Sequence, residues 1–76
     1  MPKISSVGLG NYIRNPRGRH GVDSRGMNIE VLKIAEDHGG SFLCYPVTNT
    51  ETVPVTLDTT RYQFIPKDQV VDQVSI

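Results

Sequence analysis

Arg14, Arg17, Arg19 and Arg25 put four planar guanidinium groups within twelve residues. Such a fork meets a phosphate through two parallel hydrogen bonds, and its flat face stacks on an exposed base. Gly18 and Gly21 lie between them and let the backbone follow a phosphate chain closely. Tyr12 and His20 add rings that can stack. Arginine with interleaved rings suits RNA or single strands, whose bases are open to stacking. With four or five phosphate contacts, binding to a single strand weakens with salt by a slope of roughly 0.7 per contact.

The charge distribution sharpens this expectation. Residues 1–26 hold five of the eight Lys and Arg (Lys3 and the four arginines) against one acid, Asp23. The remaining residues hold three bases and seven acids, so a net charge of zero hides a cationic leader on an anionic body. Two outcomes are open for the leader. Its arginines grip a polyanion, or the body's own acids neutralise them and leave a solubilising tail.

Other chemistries are poorly provided for. Cys44 with His20 or His38 has the elements of a thiol nucleophile and base, but Cys44 falls mid-strand with no activating neighbour, as a packed thiol does. One Cys and two distant His, with only Asp37 beside His38, do not match zinc-ligand spacing. Val7-Gly8-Leu9-Gly10 has no preceding strand or following helix and is no dinucleotide loop. Asp68 and Asp72 read as solvated carboxylates. We therefore expect no enzyme, cofactor, metal or small-molecule substrate. A single cysteine excludes an intramolecular disulfide. The longest apolar run, Phe42 to Val47, is interrupted by Pro46 and far below the roughly 20 residues that span a bilayer. The N-terminus carries no apolar signal core. A cytoplasmic protein without a membrane partner is the expectation.

Composition divides the chain near Gly26. Five of the seven glycines lie within the first 26 residues, so residues 1–26 read as a basic, flexible arm and residues 27–76 as a small β-barrel. Within the arm, Ile4, Val7, Leu9, Tyr12 and Ile13 are apolar enough to pack on the body, which leaves 14–26 as its most mobile part. The body reads as strands at 28–35, 41–47, 53–57, 61–65 and 70–75, rich in Val, Ile, Tyr, Phe and Thr. Turn formers separate them, notably Asp37-His38-Gly39-Gly40 and Pro66-Lys67-Asp68.

Matching apolar partners predicts the register. Val47 pairs with Val53, Tyr45 with Val55 and Leu43 with Leu57, while Ile34 falls opposite Leu43 and Leu32 opposite Tyr45. Leu57 then lies by Tyr62 and Val55 by Phe64, with Asp58 and Arg61 paired outside. The reverse face shows Val31, Ala35, Phe42, Cys44 and Pro46, too apolar to be left in water. Either barrel closure or the leader's apolar residues cover it, or Val31, Phe42, Cys44 and Pro46 bind a partner chain.

Gly26-Met27-Asn28-Ile29-Glu30-Val31-Leu32 and Phe64-Ile65-Pro66-Lys67-Asp68-Gln69-Val70-Val71 resemble the opening strand and the turn with closing strand of SH3-like small barrels. The resemblance spans about 50 residues and implies an all-β, five-stranded barrel. A small OB-like barrel is the competing architecture. The chain lacks the acidic loop and tryptophans of signalling SH3 domains and a glycine-centred KOW motif, which argues against proline-peptide and ribosome-type roles. A fold of this kind does not name a function. The expected function is a non-enzymatic nucleic-acid or ribonucleoprotein accessory factor. The alternatives are an interaction or inhibitor module of viral or mobile-element type that binds a host protein, and a structural subunit of a virion or larger complex.

Overall fold

A computed structural model of the chain describes residues 1–17, 30–51 and 53–76. One helical turn, α1 (Ile4–Val7), precedes six strands: β1 (Tyr12–Arg14), β2 (Val31–His38), β3 (Ser41–Asn49), β4 (Thr56–Leu57), β5 (Gln63–Pro66) and β6 (Gln73–Val74). The class is all-β, and every strand pairing is antiparallel.

The hairpin of β2 and β3 is the spine. Its loop is Gly39-Gly40, closed by the His38 and Ser41 pair. Gly39 has φ 74°, a conformation a side chain resists, and the Asp37 carboxylate accepts a hydrogen bond from its N–H at 3.0 Å. Pairing runs one residue away from the expected register: Ile34 faces Cys44 and Leu32 faces Pro46. A bulge between Ile34 and Glu36 absorbs Ala35, so beyond it Glu36 pairs with Leu43. A one-residue slip exchanges the two faces of a strand. The core face of β3 is therefore Phe42, Cys44 and Pro46, and Leu43 and Tyr45 lie on the other face, where Leu43 is still buried and Tyr45 half-buried.

The far side of β3 is shared by two short strands. β5 pairs with its first half, with Phe64 opposite Leu43 and Ile65 opposite Phe42, and β4 with its last residues, with Leu57 opposite Val47. The expected pairing of Tyr62 and Phe64 with Leu57 and Val55 is not formed. The expected 53–57 strand shrinks to Thr56–Leu57, in keeping with a proline at 54 that cannot donate to a ladder. Arg61 pairs with Glu30 rather than Asp58, and Asp58 instead accepts bonds from the Thr60 N–H and hydroxyl at 3.0 and 2.6 Å.

The leader is built into this sheet over its first 17 residues. β1 pairs with β2, Ile13 opposite Leu32, and β6 pairs with β1 rather than with β2. Around α1, the Ile4 N–H reaches the Gln69 carbonyl at 2.8 Å, the Val71 N–H reaches that of Pro2 at 2.9 Å, and Lys3 bridges Val70. Ile4 and Ile13, both fully buried, close the core around Leu32, Ile34, Phe42, Cys44, Ile65 and Val71. The arm boundary read at residue 26 therefore does not mark where packing begins. Residues 18–26 of that arm lie outside the described residues. The sheet path runs β4-β3-β2-β1-β6 with β5 on β3, and no backbone ladder among the described residues joins β5 to β1, so the barrel is not closed.

Candidate nucleic-acid interface

Side chains bridge the seam between β1 and β5 that backbone ladders leave open. Asn15, 5% exposed, donates to the Glu30 carboxylate at 2.9 Å; its carbonyl oxygen accepts from the Gln63 amide at 3.1 Å and from the Arg17 N–H at 2.9 Å. Glu30 also holds Arg61 at 2.7 Å. A buried amide satisfied at both ends fixes the chain direction here. Arg17 leaves the seam pointing at β5, where its Nη2 donates to the Phe64 carbonyl at 3.1 Å.

The expected nucleic-acid residues fall into two groups. Tyr12 and Arg14 are half-buried on β1, on the face opposite Ile13, and Arg17 is exposed just beyond. Arg19, His20 and Arg25 lie outside the described residues. Lys33, the cross-strand partner of Tyr12, sits 5.7 Å over its ring. Among the described residues neither Arg14 nor Arg17 has an ion-pair partner. Three of the body's acids are engaged elsewhere, while Glu51, Asp68 and Asp72 have no ion-pair partner among the described residues. Glu30 takes Arg61, Asp37 takes Lys67 at 2.9 Å, and Glu36 lies 3.6 Å from His38. The hydrogen bond from Lys67 holds the Asp37 carboxyl below its ordinary range, and the Thr60 hydroxyl does the same for Asp58.

A second feature of this edge escaped the sequence reading. Phe64 meets His38 edge-to-face at 5.3 Å and Tyr62 at 5.7 Å. All three rings face solvent: Tyr62 is 60% exposed, Phe64 45%, and the His38 side chain 43%. Tyr62 and Phe64 are two residues apart, and strand period puts such a pair on one face. That spacing beside Arg61 was the available signal. The expected pairing with Val55 and Leu57 places both rings in the core instead.

The residues considered for partner binding have a different fate. Phe42, Cys44 and Pro46 are buried and Val31 is half-buried in β2. Ile4 and Ile13 from the leader pack in the same cluster as Phe42 and Cys44, with Val7 against it, whereas Leu9 is 53% exposed and Tyr12 lies on the other face of β1. The cover is thus supplied by three of the five leader residues, and Phe42, Cys44 and Pro46 offer no surface. Burial pushes the Cys44 thiol up to about 11, so it stays protonated at neutral pH. Among the described residues no helix is long and apolar enough to cross a membrane.

The fold defines a small all-β protein with an antiparallel sheet and an exposed aromatic edge. Compared with known protein families, curated proteins and solved structures, the chain matches none.

Proposed function

We propose that this chain is a non-enzymatic binding protein for RNA or single-stranded nucleic acid, alone or as an accessory of a ribonucleoprotein. Its scaffold is a small barrel-like sheet of SH3-like strand order. Arg14 and Arg17 grip phosphates from a fixed place on that sheet, and Arg19, His20 and Arg25 extend the grip along the leader. One observation carries the reading: among the described residues neither Arg14 nor Arg17 has an ion-pair partner, while Glu30 and Asp37 are taken by Arg61 and Lys67. For Arg14 and Arg17, this disfavours a tail whose arginines are neutralised by its own domain. Anchoring adds to the argument, because a guanidinium already held at β5 loses less freedom on meeting a phosphate.

Fluorescence anisotropy of a labelled single-stranded oligonucleotide tests this across 50 to 300 mM salt. Four phosphate contacts predict a slope of about −3 in log K against log salt, and Arg14→Ala with Arg17→Ala reduces it by about 1.4. Absence of binding at 50 mM salt, or a slope that the double variant leaves unchanged, overturns the proposal.

A further inference from the structure

Resting on that reading, we propose that Tyr62, Phe64 and His38 form a stacking platform for unpaired bases, with Arg17 and Arg61 holding the phosphates on its flank. On β5 the sequence alternates strictly: Ile65 is fully buried, while Phe64 spends a large apolar ring on the outside. Its cross-strand partner Leu43 is 7% exposed, whereas Phe64 itself leaves 45% of its surface open to solvent. The same face gains His38 from the end of β2 and Tyr62 from the approach to β5. These are three rings of differing polarity, with Phe64 in edge-to-face contact with each of the other two and all three open to solvent.

Charge placement selects the occupant. Arg17 spends one donor on the Phe64 carbonyl and Arg61 one on Glu30, so each keeps further N–H groups from its five for phosphate oxygens. Arg17 is held at the backbone of Phe64 itself, and Arg61 directly precedes Tyr62 in the chain. Glu36 and Asp37 stand at the His38 end, with Asp37 held by Lys67, and Glu30 is held by Arg61, so Arg17 is the cation at the row with no acid paired to it among the described residues. A purely apolar protein anchor gains nothing from two guanidinium groups at its border, whereas a polyanion with flat apolar bases uses both. Duplex bases are stacked on one another and present only edges, so a row of rings on a sheet face selects single strands.

The test uses the full chain with three labelled probes: a ten-nucleotide uridine strand, the same backbone made abasic, and a duplex. Tyr62→Ala and Phe64→Ala are each expected to weaken uridine binding about 5- to 100-fold, with the salt slope unchanged. Tyr62→Phe retains wild-type binding, and the abasic strand and duplex bind weakly. Tyr62 is exposed, so Tyr62→Ala decides the matter even where Phe64→Ala unfolds. Ring variants that bind uridine like wild type, or a duplex bound as tightly as the single strand, overturn the platform while nucleic-acid binding stands. If none of the three probes binds, both proposals fall.

Discussion

Truncating Ile13 measures how far the leader belongs to the fold. Ile13 is fully buried in β1 opposite Leu32 and packs with Ile4, Ile34 and Cys44. Ile13→Ala removes three carbons worth about 0.8 kcal/mol each in transfer, roughly 2.4 kcal/mol. The cavity left in a core of eight residues brings the expected loss to about 3–4 kcal/mol, within the usual range for such changes. A domain of this length has roughly 4–11 kcal/mol in total, so a large share disappears. Urea unfolding followed by far-UV circular dichroism reads this as a fall in midpoint of about 3 M, for a slope of about 1 kcal/mol per molar. Leu9→Ala, at a site 53% exposed in the same leader, is the control and shifts stability by no more than about 0.5 kcal/mol. An Ile13→Ala midpoint no lower than that of Leu9→Ala refutes the integration of residues 1–17 into the sheet.

Two further outcomes follow from other parts of the fold. Asn15→Leu leaves Glu30 and Gln63 without their shared partner and is expected to cost about 1–3 kcal/mol in the same urea assay; an unchanged midpoint contradicts the seam network. Burial holds the Cys44 thiol protonated up to about 11 against 9.0 for the unfolded chain. The raised folded value means that this contribution is intact below pH 9 and is lost as pH rises toward 11, by roughly 2–3 kcal/mol. Comparing alkaline unfolding of wild type with Cys44→Val isolates it from the tyrosines and lysines. Equal pH slopes in the two proteins contradict the burial.

The strands of the second half were legible, and so was the turn at Gly39, because turn chemistry and β-rich runs are local signals. The register was not. Both faces of β3 are apolar, Phe42, Cys44 and Pro46 on one and Leu43, Tyr45 and Val47 on the other, so apolar matching admits either pairing. The Ala35 bulge that decides between them leaves no local mark. β1 was missed because its three residues, Tyr12–Arg14, sit between glycine- and proline-rich stretches. Its strand character comes from pairing with β2 and β6, which is tertiary context. Of the candidate site, the arginines were visible as residue types. The aromatic row became visible only when β5 was seen to pair with β3 and turn Phe64 outward.

Mapping the bound surface by ¹H–¹⁵N correlation spectra of the labelled chain, titrated with an unlabelled uridine oligonucleotide, addresses the central claim most directly. The account predicts shifts at Arg14, Arg17, His38, Tyr62 and Phe64, while the far end of the β3–β4 hairpin around Thr50 stays still. A titration that moves no signals, or moves only those of the hairpin end, contradicts it.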